Sequence, residues 1–356
     1  SHGRQTGLGR SCGWRRGFRR EIAPAPNCEL DFPDCVGRTP SDAMNRESFG
    51  RDRLMSRESC LLYFRLATII VLGHALLAFV TSASGRDIYV DNVSGDDRNN
   101  GAKAEPGSIE AGPLRTIARA LWIAHPGDRI VLVKNDEPYR EMVCLIGPRN
   151  SGTEEEPFII EGNGAVIDGT APVPEESWEH AAGDVFQVRL RYMAHPMLFE
   201  AGKTLPRVRI ANEAELDKLQ VGEWASLKGK VYFRPAADRS LLSYPLSGAS
   251  LATGITLFQV QHVVIRNLTV QGFRIDGVAA PDAAEVVRLE RVISRANGRS
   301  GLSVGGASRV IAHDSQFLEN GVTPVRIEGF SKLRIVNSVL SPDGEIDRRG
   351  GTLLLE

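Results

Sequence analysis

The sequence predicts an all-β fold in which short parallel strands coil around a common axis. Three observations indicate this class: apolar segments recur at a nearly constant interval after residue 254, two further strand series keep the same interval, and the composition favours short strands and tight turns. The chain has 36 glycines and only 6% aromatic residues. Repeats at a fixed period decide the fold before local propensity does.

The first strand series follows a Gly or Pro each time, and its members are separated by 23, 24 and 23 residues. Its segments are Ile255-Thr256-Leu257-Phe258, Val278-Ala279-Ala280, Leu302-Ser303-Val304 and Val325-Arg326-Ile327. The spacing predicts that each segment lies beside the next in a parallel sheet, at a distance of about 4.8 Å.

The two other series complete each repeat. One contains Val263-Val264-Ile265, Glu285-Val286-Val287, Arg309-Val310-Ile311 and Lys332-Leu333-Arg334-Ile335; the other begins at Asn267, Arg291, Asp314 and Asn337. Three strands per coil, separated by Gly, Asn, Asp or Ser turns, are therefore expected. The amides at one turn position should stack into a ladder, which Arg291 should interrupt. Leucine-rich and ankyrin repeats lack support, because their consensus residues and helical periodicity are missing.

Composition bounds the function. The 356 residues are 42% hydrophobic and 24% charged, with a formal net charge of -1. This composition suits a folded chain with a large core rather than a polytopic membrane protein or a disordered one. The near-zero charge argues against nucleic acid as a partner, because such binders carry a basic surface that neutralises phosphates.

The N-terminal 83 residues differ from the rest. Residues 1–54 contain ten Arg, no Lys and three of the five cysteines, and they predict an unstructured leader that lies upstream of a true start at Met44 or Met55. Residues 55–83 resemble a signal peptide, with Arg57 and Arg65 before the apolar run 66–80 and small residues that suit cleavage near Ala83. An uncleaved anchor and a buried helix are the alternatives. The prediction is a secreted, periplasmic or cell-surface protein, with membrane contact only through an uncleaved signal segment.

The predicted exported part, residues 84–356, carries 31 basic and 36 acidic residues and a net charge of -5. Its single cysteine, Cys144, lies in the apolar stretch Met142-Val143-Cys144-Leu145-Ile146, which predicts a buried thiol and no disulfide.

The region before the repeats predicts a cap. Pro113 precedes a segment in which Leu114, Ile117, Ala118, Leu121 and Ala124 share one helical face, and Pro126-Gly127 ends it. With the motif Ser94-Gly95-Asp96-Asp97 and the repeats, this pattern resembles the right-handed parallel β-helix superfamily, the pectate-lyase-like proteins. The resemblance covers roughly residues 86–345. It implies a cap over residues 86–128, early coils over 129–169 and regular coils over 254–356.

Residues 170–250 depart from the period and concentrate Trp178, Trp224, Tyr232 and several prolines, so a β-rich insertion is predicted there. Insertions of this kind often wall a groove in carbohydrate-active β-helix proteins. Exposed aromatic rings would suit sugars, whereas buried ones would form the core of the insertion itself.

The nearest motif resemblance is to the family-nine pectate lyases, in which stacked Asp residues bind calcium beside a Lys base. Ile275-Asp276-Gly277-Val278 matches that motif, which implies Asp276 as a catalytic residue and as a calcium ligand. One coil further, Arg299-Ser300-Gly301-Leu302 does not keep the carboxylates, and no Lys occurs between Lys230 and Lys332. Calcium needs six to eight oxygens, so a salt bridge between Asp276 and Arg299 is the simpler expectation.

A stacked acid–base couple is the other candidate. Adding 23 to Glu290 gives His313, and these two residues could form a general base oriented by a carboxylate, although a surface ion pair is the competing interpretation. The same addition yields no pair of carboxylates of the kind that glycoside hydrolysis needs. His180, His195 and His262 show no metal-ligand spacing and are interpreted as structural.

Two functional hypotheses follow. In the first, the protein is an exported enzyme that acts on polysaccharide, as a lyase or a glycoside hydrolase. In the second, it is a non-catalytic β-helix that serves polysaccharide binding, surface attachment or assembly. The final residues, Gly351-Thr352-Leu353-Leu354-Leu355, look like the first strand of a further coil, so a partner that covers this C-terminal edge, or a shortened chain, is also expected.

Overall fold

The computed structural model describes residues 85–107, 110–342 and 344–356. The predicted leader and signal peptide lie outside these residues and stay predictions. Within the described part, no helix has the length and apolar character needed to cross a membrane.

The described residues form one α-helix and 22 strands. The helix α1 is Ile117–Ile123. The strands, in chain order, are β1 (Asp87–Val90), β2 (Arg129–Leu132), β3 (Val143–Ile146), β4 (Phe158–Asp168), β5 (Thr170–Pro172), β6 (Glu179–Ala182), β7 (Val185–Val188), β8 (Leu198–Glu200), β9 (Lys203–Thr204), β10 (Trp224–Leu227), β11 (Lys230–Phe233), β12 (Leu246–Ala249), β13 (Ile255–Phe258), β14 (Gln261–Gln271), β15 (Asp276–Asp282), β16 (Glu285–Arg295), β17 (Ser300–Val304), β18 (Arg309–His313), β19 (Gln316–Leu318), β20 (Thr323–Val336), β21 (Val339–Leu340) and β22 (Asp347–Leu355). Four short 3₁₀ turns are Gly147–Asn150, Glu175–Ser177, Glu213–Lys218 and Leu241–Ser243.

Parallel pairing arranges the coil strands in three faces. Face A contains β3, β13, β15 and β17 with the first parts of β20 and β22. Face B contains β1, β2 and β18, the first parts of β4, β14 and β16, and the last parts of β20 and β22. Face C contains the last parts of β4, β14 and β16 together with β19 and β21.

The register confirms the period of the sequence. Ile255 pairs with Val278, Val278 with Leu302, and Leu302 with Val325. All four side chains are fully buried, so they form one apolar column inside the coils. The other faces contribute similar columns, for example Val263, Val287, Val310 and Leu333 from face B. The right-handed parallel β-helix is therefore confirmed.

The cap helix is also confirmed. Thr116 is its N-cap residue and accepts a hydrogen bond from Arg119 N, while both oxygens of Glu141 accept hydrogen bonds from Ile117 N and Ala118 N. Four of the predicted contact residues are buried against the first coil, namely Leu114, Ile117, Leu121 and Ala124. Ala118 is exposed instead, and Ala120 takes its place in the core.

Residues 170–249 form two antiparallel four-stranded sheets, in the orders β10-β11-β7-β6 and β5-β12-β8-β9. Trp224 and Tyr232 are each 1% exposed and belong to the apolar clusters of this insertion. These two rings are therefore core residues rather than sugar platforms.

The predicted turn ladder runs through every coil, including the one with Arg291. Asn267, Arg291, Asp314 and Asn337 all have φ between 45° and 54°. Asn267 Nδ2 donates to Glu161 Oε1 at 2.7 Å, Arg291 Nε donates to Asn267 Oδ1 at 2.7 Å, and Asn337 Nδ2 donates to Asp314 Oδ1. Arg291 thus continues the ladder, contrary to the sequence-based expectation, because its guanidinium can donate where an amide would.

Candidate functional site

The outward side of face A carries a continuous row of side chains, which we call the outer strip. Successive register pairs join Thr256, Ala279, Ser303, Arg326 and Asp347. Thr256 in turn pairs with Cys144, which points outward and is exposed, so the prediction of a buried thiol is wrong. The β3 strand has alternating burial, which an apolar run of five residues did not reveal. The strip has small side chains over β13, β15 and β17 and charged ones over β20 and β22.

The charged end of the strip holds two carboxylates on one guanidinium. Arg326 Nη1 lies 2.7 Å from Asp347 Oδ2, and Arg326 Nη2 lies 2.7 Å from Glu328 Oε2. Arg349 Nε adds a contact of 3.0 Å to Asp347 Oδ1. The side chain of Arg326 is only 13% exposed, whereas those of Asp347 and Glu328 are 24% and 43% exposed. The two carboxylates therefore face solvent from a fixed, partly buried cation.

This shared cation limits how far apart the two carboxylates are. Two hydrogen bonds of 2.7 Å and the width of one guanidinium keep them closer than the upper limit of about 9.5 Å seen between the carboxyl groups of glycosidases. Hydrogen bonds from Arg349 and the charges of Arg326 and Arg349 lower the pKa of Asp347. Gly305 lies beside Glu328, since a Cβ there would be 3.3 Å from Glu328 Cγ, and its lack of a side chain leaves this acid accessible.

Asp276 is bound by two groups from the next coil. Its Oδ1 accepts hydrogen bonds from Arg299 Nε at 2.9 Å and Ser300 Oγ at 2.6 Å, and its Oδ2 accepts one from Arg299 Nη2 at 2.5 Å. Asp276 is 2% exposed. The predicted salt bridge with Arg299 is therefore present. The pKa of Arg299 is raised chiefly by the Asp276 hydrogen bond and further by the charges of Glu328 and Asp347, which places all four groups on one side of the coils.

The surroundings of Asp276 do not fit a calcium ion. Calcium takes six to eight oxygen ligands, whereas both oxygens of Asp276 already accept hydrogen bonds from an adjacent cation and a hydroxyl. Among the described residues, no group of three or more His, Cys, Asp or Glu side chains could hold a metal ion.

The insertion brings His195 to the same corner of the coils. A Cβ on Gly298 would lie 2.2 Å from His195 O and 2.9 Å from His195 Cβ, so only a glycine admits this approach. The pKa of His195 is lowered by burial and by the positive charge of Arg299, which favours the neutral imidazole. The sequence gives no signal of this proximity, because the two segments are far apart in the chain.

Glu290 and His313 are register partners on face B, as their spacing predicts. They do not form the expected hydrogen bond: His313 Nδ1 contacts Asp314 Oδ2 at 2.7 Å, and the ion-pair partner of Glu290 is Arg288, at 3.6 Å. The pKa of Asp314 is lowered, first by the hydrogen bond from Asn337 and then by burial-opposed contacts with His313. Both residues border an open depression of about 330 Å³.

The structure therefore brings Asp276 together with His195 and Arg299 but not with the other two predicted residues. Asp276 begins a face A strand, whereas Glu290 and His313 belong to face B. Catalytic roles for Asp276, Glu290 and His313 stay predictions.

Glu328 and Asp347 were missed because the last coil is short. The register pairs Arg326 with Asp347, a step of 21 residues, whereas the preceding step from Ser303 to Arg326 is 23. A fixed addition of 23 places the next charged residues out of phase. The alternation Arg326, Glu328 and then Asp347, Arg349 was the available signal.

Comparisons with known proteins add likenesses of fold. The sequence matches no family model and no curated protein. Among solved structures, a glycoside hydrolase has 14% identity over 71% of this chain and 80% of that chain, with a TM-score of 0.45. The complex of XylC with xylose has 11% identity over 74% of this chain and 70% of that one, with a TM-score of 0.38. Pectate lyase Pel9A has 12% identity over 72% of this chain and 63% of that one, with a TM-score of 0.30.

Proposed function

We propose that the protein is an exported glycoside hydrolase that binds polysaccharide across the outer strip of face A and cleaves it between Glu328 and Asp347. The observation that carries this proposal is the pair of solvent-facing carboxylates held by Arg326. Glycoside hydrolysis needs two carboxyl groups about 5 to 10 Å apart, on either side of the bond that breaks.

The two acids receive different roles from their surroundings. Asp347 has a lowered pKa because of Arg349 and Arg326, which suits the group that must be ionised to attack the anomeric carbon or to activate water. Glu328 is more exposed and makes one ion pair, which suits the proton donor. Glu328 would protonate the glycosidic oxygen as the bond from this oxygen to the anomeric carbon breaks, and water would supply the new hydroxyl and restore the proton. Arg326 would position both acids.

Calcium-dependent elimination receives no support from the residues around Asp276, and no step is assigned to a metal. Export is part of the proposal because of the signal-like segment 55–83. The proposed location is the periplasm, the cell surface or the medium.

The test is a screen of the purified exported part against neutral and acidic polysaccharides, with and without calcium, that follows reducing ends and the absorbance of unsaturated uronates. Hydrolysis predicts new reducing ends without unsaturated product, unaffected by a chelator. Glu328→Gln should abolish cleavage, while the matched variant Glu285→Gln, an exposed acid of face B paired with Arg309, should retain it. Unsaturated products would instead support a lyase, and would contradict the hydrolase.

A second candidate is the non-catalytic polysaccharide-binding protein. The observation that favours it is the alternation of charges across β20 and β22, in which Arg326 and Arg349 both engage Asp347 and could serve only to hold two strands together. Binding of a polysaccharide without new reducing ends, unaffected by Glu328→Gln, would support this candidate over the hydrolase.

A further inference from the structure

A second cavity lies in the insertion, beside the edge where the strands of face A begin. Its volume is about 450 Å³, and it is lined by residues 171–174, Ser177, residues 188–192 and residues 248–250. Pro172, Val173 and Leu190 give part of this lining an apolar character. The cavity is large enough for a sugar residue and has walls that could pack against C–H groups.

The charge of this cavity is positive. Arg189 and Arg191 line it and are exposed, and no Asp or Glu side chain belongs to the lining. Among the described residues, neither arginine has a carboxylate within salt-bridge distance, whereas residues 84–356 as a whole carry a net charge of -5. Two guanidinium groups are thus free to bind an anion.

An aromatic ring lies between further cations at the rim. Tyr192 is 39% exposed. The guanidinium carbon of Arg274 is 4.5 Å from the centroid of its ring, and that of Arg191 is 5.2 Å away. Arg274 Nε also donates to Ser250 O at 3.2 Å, which fixes the guanidinium against the cavity wall and leaves its terminal NH₂ groups available.

The position of Arg274 links this cavity to the outer strip. Arg274 precedes Ile275 and Asp276, at the start of β15, and its carbonyl oxygen lies against Gly298 together with that of His195. A chain that leaves the cavity past Arg274 would reach the first strands of face A.

We propose that this cavity binds a carboxylated sugar, a hexuronate, of the polysaccharide that crosses face A. Guanidinium groups bind carboxylates through two parallel hydrogen bonds, and Tyr192 offers a ring edge for the sugar. The inference rests on the proposed function, since it assigns the substrate class of the same polysaccharide site.

The test is a titration of the exported part with trigalacturonate and, separately, with neutral galactotriose, followed by calorimetry at low ionic strength. Trigalacturonate should bind, and the double variant Arg189→Gln/Arg191→Gln should lower its affinity at least tenfold. Lys203→Gln, which removes one exposed positive charge elsewhere in the insertion, should leave the affinity within a factor of two. Tyr192→Ala should weaken binding without changing its salt dependence, because it removes the ring and not a charge.

Equal affinity for both trisaccharides, or unchanged affinity in the double variant, would overturn the inference. Circular dichroism of each variant would show that a lost affinity does not come from unfolding. The binding test is independent of cleavage: absent reducing ends with arginine-dependent binding would refute the hydrolase alone, whereas cleavage of neutral chains only would refute the hexuronate site alone.

Discussion

At the scale of single residues, neighbours decide what each carboxylate can do. Asp276 matches a calcium-binding motif in sequence, but Arg299 and Ser300 of the next coil already bind both of its oxygens. Asp347 follows no motif, yet its contacts with Arg326 and Arg349 hold it ionised at the surface. The sequence predicted the first pair because both partners keep the regular spacing. It could not predict the second, because the last coil shortens the step.

The ion pair of Asp276 should stabilise the fold. Asp276→Asn leaves the guanidinium of Arg299 without its anion, so we expect a loss of about 1 to 3 kcal/mol in the free energy of unfolding. Urea unfolding followed by circular dichroism measures this. The matched variant Asp282→Asn, at an exposed acid whose amide oxygen can still accept the hydrogen bond from Ala307 N, should cost less than about 0.5 kcal/mol. Equal losses in both variants would contradict a structural role for the Asp276–Arg299 pair.

The contacts of Asp347 predict how stability responds to acid. Its pKa in the folded protein is below the ordinary value of 3.8, so its contribution is fully present above pH 3.8 and is lost as pH falls through the lower folded value. Thermal unfolding between pH 6 and pH 3 should therefore show a smaller drop in Tm for Asp347→Asn than for the unsubstituted protein. An identical drop in both would show that Asp347 does not couple folding to protonation.

At the scale of elements, the coils follow from the sequence and the insertion does not. Strand positions on faces A, B and C repeat, so one period fixes many contacts at once, and even Arg291 adopts the turn geometry of its Asn and Asp equivalents. The cap helix was predictable from its apolar face. In contrast, the approach of His195 to Gly298 depends on the path of a long insertion that has no period, and no local pattern encodes it.

The contact at Gly298 predicts a selective defect. Gly298→Ala places a methyl group against His195 O, at an unrelaxed distance of 2.2 Å, so the insertion must shift away from the coils. We expect polysaccharide affinity and any cleavage to fall at least tenfold while the coils stay folded. Gly183→Ala is the control: it has no heavy atom within 4 Å of the new Cβ and costs only the strain of its φ of +54°, about 1 to 2 kcal/mol. Unchanged affinity in Gly298→Ala would show that this contact does not position the binding surface.

At the scale of the whole molecule, the acidic coils carry a local concentration of arginine where the insertion meets them. Whole-chain charge conceals this feature, because the -1 of the full chain and the -5 of residues 84–356 are both averages. Arg189, Arg191, Arg274 and Arg299 become neighbours of one surface only through the fold. Composition therefore predicted the class of fold but not the sign of the candidate ligand.

The export proposal has its own test. Expression from Met55 in a bacterial host should yield a periplasmic or secreted protein that begins at Ser84, because the small residues Thr81 and Ala83 suit cleavage there. N-terminal sequencing of the purified product measures this. An uncleaved protein in the membrane fraction would favour the anchor, and a native protein that begins upstream of Met44 would refute the interpretation of residues 1–54 as a leader.

The location of the cleaved bond tests the central claim most directly. A crystal structure of Glu328→Gln soaked with an oligosaccharide that the unsubstituted protein cleaves should show the sugar chain across the outer strip. A glycosidic oxygen should lie within hydrogen-bond distance of residue 328, with the anomeric carbon facing Asp347. A chain bound elsewhere, for example in the His313 depression of face B, or bound on face A with no glycosidic bond near these two residues, would contradict the account.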